Sequence, residues 1–149
     1  MNVERGRPDA LGATIDRDGV NFCVYSRNAN LIELLLFDRP DSAEPSHAII
    51  LNPERHRTDD YWHAWIQGVG HGQIYAFRAH GPHAPDHGHR FDAAKILIDP
   101  YSRAIHTPPG YSRNKIKEPG GHIDIAMKSA VFDPTRYNWE SDVPLRRPV

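Results

Sequence analysis

The chain has a single cysteine, Cys23, among its 149 residues, so neither an intrachain disulfide nor a cysteine-based zinc site can form. Its place in an alternating apolar run marks it as a packing residue. An excess of one charge is also missing: 18 lysines and arginines face 19 acids, for a net charge of -1. No global field draws the chain to nucleic acid or to an anionic membrane, and neither is expected as a partner. No apolar run approaches the roughly 18 residues of a membrane span, and residues 1–9 lack the hydrophobic stretch of a signal peptide, which sets a cytoplasmic expectation. Helical periodicity is almost absent. So are the G-x-S-x-G elbow, the G-x-x-x-x-G-K phosphate loop and the H-E-x-x-H zinc helix, which counts against an autonomous enzyme.

What the chain does have is strand pattern. Runs of β-formers recur at short intervals between Gly, Pro, Asn and Asp, and the length suits one compact domain. Residues 12–13 and 20–26 open it, with Val20, Phe22 and Val24 facing one way and Asn21, Cys23 and Tyr25 the other. Residues 31–37 are so apolar that a strand covered on both faces is expected. Residues 47–51 continue, and 61–66 alternate Trp62, Ala64 and Ile66 against Tyr61, His63 and Trp65. In residues 73–80, Tyr75 and Phe77 oppose Ile74, Ala76 and Arg78. Several such strands without helices predict an all-β fold, a β-sandwich with an irregular C-terminal extension. Four segments follow: an N-terminal stretch at 1–10, the sandwich at 11–101, a loop excursion with a last edge strand near 126–131 within 102–136, and a linker-like tail at 137–149.

Candidate chemistry is sparse. Glycoside hydrolases work with two carboxylates held roughly 5–10 Å apart, but Asp18, Asp38, Asp59 and Asp60 all sit in turn sequence, and no pair stands out as catalytic. His80, His83, His87 and His89 fall within ten residues, yet prolines and a glycine interrupt them and no cysteine accompanies them. Loop hydrogen bonding accounts for them better than a metal, and no metal or cofactor is expected. Tyr61, Trp62 and Trp65 are the candidate glycan contacts, because aromatic rings on a sheet can stack on the apolar face of a sugar; core packing competes for them.

Two stretches, Leu11-Gly12-Ala13-Thr14 and Gly19-Val20-Asn21-Phe22 with Tyr25-Ser26, resemble the opening of the N-terminal domain of bacterial glycogen-debranching enzymes and isoamylases. The run from Gly72 to Arg78 ahead of His80-Gly81-Pro82 extends the likeness. The longest match is Gly88-His89-Arg90-Phe91-Asp92-Ala93-Ala94-Lys95-Ile96-Leu97-Ile98-Asp99-Pro100-Tyr101. The likeness covers residues 11–139. It implies an immunoglobulin-like sandwich of the family 48 carbohydrate-binding module type, ahead of an α-amylase-type barrel that hydrolyses α-1,6 branches. The chain alone is then non-catalytic, its parent a glycoside hydrolase, and residues 137–149 the linker towards a barrel not contained in this sequence. Glycan-binding members use a lysine and a tryptophan where this chain places Ala76 and His83. The resemblance therefore favours barrel docking through Arg90, Phe91, Lys95, Asp99 and Tyr101 over contact with branched α-glucan. The alternative is a free-standing glycan-binding or regulatory module.

Overall fold

In a computed structural model that describes residues 1–143, alternate residues of the strands meet between two antiparallel sheets. In chain order the strands and helices are β1 (Val3–Glu4), β2 (Gly12–Asp16), β3 (Gly19–Tyr25), β4 (Leu31–Phe37), β5 (His47–Leu51), α1 (Pro53–His56), β6 (Arg57–Thr58), β7 (Tyr61–Gln67), β8 (Ile74–His80), β9 (His83–Ala84), β10 (His89–Arg90), β11 (Ala104–His106), α2 (Arg113–Lys117) and β12 (Lys128–Ala130). The first sheet runs β1-β7-β3-β2, with β6 beside β7; the second runs β11-β12-β8-β4-β5; β9 and β10 form a separate ribbon. The register puts Val20, Phe22 and Val24 opposite Ile66, Ala64 and Trp62, so all six project from one face of the first sheet. They meet Ile32, Leu34, Leu36, Tyr75 and Phe77 of the second, and Phe22 packs edge-on against Tyr75 at 4.9 Å. The fold is the expected all-β sandwich.

Both outer faces are covered as well. On the first sheet the N-terminal stretch lies as a strap. The Arg7 amide donates to Asn21 Oδ1 at 2.7 Å, Asn21 Nδ2 returns a bond to the Arg7 carbonyl, and the His63 Nδ1–H donates to the Arg5 carbonyl at 2.7 Å. Gly6 makes this approach possible: at φ 72°, a Cβ there would stand 2.7 Å from the Ala64 backbone. Beneath the strap Cys23 is buried, its thiol pushed up to about 11 by desolvation. Of the residues read from sequence as facing away from the core, Asn21, Cys23, His63 and Trp65 are thus also out of water.

On the second sheet a smaller core forms from Leu35, Phe37, Ile74, Ala76 and Ala130 with Ile96 and Ala126. This satisfies the expectation that residues 31–37 are covered twice. It also concerns residues 102–136, read from sequence as a loop excursion with a last edge strand near 126–131. They supply β11, β12 and the partly buried Ile116 and Ile123, and so extend the sandwich beyond residue 101. β12 is not an edge strand, since it lies between β11 and β8.

Lys128 fastens this layer. Fully buried, its ammonium donates to the carbonyls of Pro40 at 2.7 Å, Ile123 at 2.5 Å and Ala126 at 3.4 Å, and lies 4.9 Å from the Phe37 ring centre. Burial pulls its pKa below the ordinary lysine range. Replacing it strands carbonyls from two separate loops. Lys128→Met is therefore expected to lower unfolding stability by about 2–4 kcal/mol, read from urea denaturation; an unchanged midpoint would exclude this anchoring role.

Candidate functional site

The segment with the longest sequence signature closes one lateral side of the sandwich. Leu97 exchanges two backbone hydrogen bonds with Phe77, of 2.8 and 2.7 Å, continuing along β8 where β12 leaves off. Two residues later Asp99 turns inward and is 2% exposed. Its Oδ2 accepts from the Tyr75 hydroxyl at 2.7 Å, its Oδ1 from the Tyr101 amide at 2.8 Å, and its own amide donates to Ser129 Oγ at 2.9 Å. Tyr101 then lies against β2 of the other sheet, where a Cβ on Gly12, at φ 88°, would stand 3.0 Å from the Tyr101 carbonyl oxygen. Asp99 thus joins three elements: its carboxylate ties β8 to the turn that reaches β2, and its backbone amide ties both to β12.

The other signature residues divide between support and surface. Phe91 packs on the inter-sheet core, its ring so close beneath Gly81 that a Cβ there would meet it at 2.7 Å. Lys95 donates to the carbonyls of Ile116, at 2.7 Å, and Glu118, holding the end of α2. Arg90 is exposed and Tyr101 is 51% exposed. Beside them a pocket of ≈ 340 Å³ is lined by Ala79, Arg90, Phe91, Asp92, Lys95 and Leu97. Of the five docking candidates, Arg90 and Tyr101 face solvent, Asp99 faces inward, and Phe91 and Lys95 are partly buried. Sequence reasoning passed over Leu97, Ile98 and Ile105, which are 49%, 37% and 48% exposed. The signal was there, for apolar residues in a stretch that is not regular strand have no core face assigned to them by alternation.

The glycan-contact candidates are placed differently. Trp62 is 0% exposed, with its indole N–H donating to the Ser26 carbonyl and Arg57 over its ring. Trp65 is 4% exposed, with its N–H on the Asp16 carbonyl and Arg17 over its ring at 4.3 Å. Neither indole offers a free face. Tyr61 is half-buried and stands edge-on to the exposed Tyr25 at 5.4 Å. Ala76 is buried in the second core, so the sheet face on which it lies is closed to any ligand. The histidines do not converge: His83 Nδ1–H donates to the Phe91 carbonyl and His80 stands beside Glu33, and among the described residues no three metal-ligating side chains come together.

Burial raises the Asp99 carboxyl above the ordinary aspartate range, against the opposing pull of the Tyr101 amide and the Tyr75 hydroxyl. A carboxyl raised on folding binds its proton more tightly in the native state. Its contribution is complete below the unfolded value and is lost as pH rises through the folded one. The stability of the natural chain relative to an Asp99→Asn variant should therefore fall as pH climbs from about 4 towards neutrality. Thermal unfolding of both proteins across that range checks this, and a constant difference would contradict it.

Residues 10–102 match the family model described as carbohydrate-binding module 48 (isoamylase N-terminal domain). The chain is 36% identical to a glycogen debranching enzyme of Cronobacter sakazakii over 97% of this chain and 22% of that protein. It is also 36% identical to isoamylase 1, chloroplastic, of Oryza sativa over 98% of this chain and 18% of that one. It therefore spans about a fifth of the length of these curated relatives. Among solved structures, a product complex of a multi-modular glycogen-degrading pneumococcal virulence factor superposes with TM-score 0.61 at 15% identity, over 89% of this chain and 13% of that one. A pullulanase from Paenibacillus barengoltzii, complexed with maltotriose, gives 0.57 at 16%, over 84% and 15%. These structures share the fold; the family match, covering well over half of the residues, shows that the chain belongs to the carbohydrate-binding module 48, or isoamylase N-terminal domain, family.

Proposed function

We propose that this chain is the non-catalytic N-terminal module of a glycogen-debranching α-1,6-glucosidase of isoamylase type, and that its main work is to support the catalytic barrel. One observation carries the reading. The tryptophans that would make a sugar platform are packed away, whereas seven of the ten exposed large apolar side chains among the described residues fall within residues 97–143. Exposed apolar groups this concentrated in one stretch of the chain favour a contact with another protein surface. The docking corner is Arg90, Leu97, Ile98 and Tyr101, with Phe91, Lys95 and Asp99 holding it in shape from behind. Branched α-glucan is a secondary partner, for which Tyr61 beside Tyr25 is the remaining aromatic contact.

The cytoplasm is the location proposed for the parent, on the ground that glycogen is its proposed substrate; among the described residues no helix is long and apolar enough to cross a membrane.

The isolated chain is expected to release no sugar from glycogen and to associate with a separately produced catalytic barrel of a debranching relative. Arg90→Ala and Tyr101→Ala should each weaken that association by about 3- to 30-fold, within the range of peripheral to central interface residues. Titration calorimetry reads both. Tight binding of maltoheptaose with no affinity for the barrel would instead favour a free-standing glycan-binding module.

A further inference from the structure

The docking corner is not the most apolar part of this surface. Tyr137 and Trp139 are 60% and 66% exposed, and Val143 is 74% exposed, more than Leu97, Ile98 or Tyr101. The two rings pack edge to face, with centres 4.8 Å apart and planes at 71°. A chain of turns holds them in place. Asp133 Oδ1 accepts from the amide and hydroxyl of Thr135, capping the turn at Pro134–Arg136. Asn138 Oδ1 then accepts from the Glu140 amide at 2.9 Å, and the Asp142 amide donates to the Trp139 carbonyl at 3.0 Å. Glu140 occupies the left-handed region at φ 51°, which a residue other than glycine adopts at a cost. Turns thus shape residues 133–142, which include the start of the segment read from sequence as a linker, 137–149; residues 144–149 of that reading lie outside the described residues.

The position of residues 133–142 sets them along the same edge strand as the docking corner, at the opposite end. The Asp133 amide donates to His71 Nδ1 at the β7–β8 turn, and Arg136 shares a pocket with Ile15 and Arg17 at the far end of β2. The near end of β2, at Gly12, lies against Tyr101. Edge strand β2 is therefore flanked by the signature corner at one end and by the tail at the other, and Ile105 of β11 lies on the same lateral side, through its pairing with Ser129 beside Asp99.

We propose that Tyr137 and Trp139 are the principal anchor of this module on the catalytic domain of its parent enzyme. The proposal rests on the docking function given above and names the residues that bear most of it. The occupant follows from two facts. Relatives that match 97–98% of this chain carry about four-fifths of their length beyond the match, a neighbour of the right size and permanently at hand. The ring geometry also suits a protein pocket better than a sugar. An edge-to-face pair spends one ring face on the other ring's edge, whereas a sugar platform keeps its faces open; a pair of this shape fills a cleft lined by apolar side chains. The polar rim is provided by Arg136, Glu140 and Asp142, matching the composition expected around an interface centre.

The test uses the whole chain and the separately produced remainder of the Klebsiella pneumoniae debranching relative, which is 36% identical to this chain over their matched part. Trp139 serves as its own reporter, because Trp62 and Trp65 are buried and acrylamide reaches chiefly the exposed indole. Association should protect Trp139 from quenching, and Trp139→Ala should weaken it at least about 30-fold, more than Arg90→Ala does. Trp139→Phe should recover most of that loss, and Val143→Asp should weaken binding without touching the aromatic pair. Unchanged thermal midpoints would show that the variants fold. If the natural chain binds and both Trp139→Ala and Val143→Asp bind as well, the anchor is elsewhere and the docking function stands. Absence of binding by the natural chain overturns both readings. Protection of Trp139 by maltoheptaose, with none from the catalytic portion, assigns the pair to glucan and overturns the proposal.

Discussion

A carboxylate taken out of water must have its hydration replaced by fixed dipoles, and the tie between the two sheets on the lateral side depends on how Asp99 meets that demand. The Tyr75 hydroxyl and the Tyr101 amide point at its oxygens, and its amide is held by Ser129. Each partner comes from a different part of the sequence, so satisfying one residue, side chain and amide together, fixes where β8, β12 and the turn towards β2 stand relative to one another. Tyr75 serves twice, because its ring packs on Phe22 in the inter-sheet core while its hydroxyl holds the carboxylate. Misplacing β8 or the turn leaves the buried carboxyl short of a donor, and misplacing β12 leaves the Asp99 amide without its acceptor, penalties that apolar contacts alone would not impose.

The same demand explains why the long sequence signature is only partly a surface. Lys95 and Asp99 are charged residues in a stretch that looks polar enough to face a partner, yet the amine closes the end of α2 and the carboxylate ties the strands. The groups free to meet another surface are their apolar neighbours, Leu97 and Ile98, with Arg90 and Tyr101. Lys95 and Asp99 thus turn their charges inward while Leu97 and Ile98 stand in water, the reverse of the ordinary partition.

How much could be read from the sequence follows from this. Strands with period-two alternation were legible, as were their faces: Val20, Phe22 and Val24 against Trp62, Ala64 and Ile66, and Tyr75 and Phe77 against Ile74 and Ala76. The double cover of residues 31–37 was legible because an unbroken apolar run has no polar face to give to water. What covers it was not. β11 and β12 are three residues each and carry too little pattern to rise above loop sequence. Lys128 in particular reads as a solvated lysine until the Pro40 carbonyl, from a distant loop, is seen beside those of Ile123 and Ala126 around its amine. Exposure of the tryptophans was equally beyond reach, since strand alternation gives two faces but not the strap that lies over the second. Trp65 is hidden by chain neighbours from the N-terminal stretch and the β2–β3 turn, whose positions no local periodicity encodes.

With both sheet faces covered, only the edges and ends of the sandwich remain for function. The first sheet is closed outside by the strap and the second by its small core, so neither Trp62 nor Trp65 offers a sugar chain a flat surface to lie on. Exposed edges are a hazard for an isolated sandwich, because unpaired backbone groups and apolar side chains invite association with further copies. Here the side carrying β2 and β11 has Leu97, Ile98, Tyr101 and Ile105 beside it. A second domain seated along that side would cover the hazard and use the hydrophobic surface in one contact, and a rigid attachment of this kind needs no glycan affinity in the module itself.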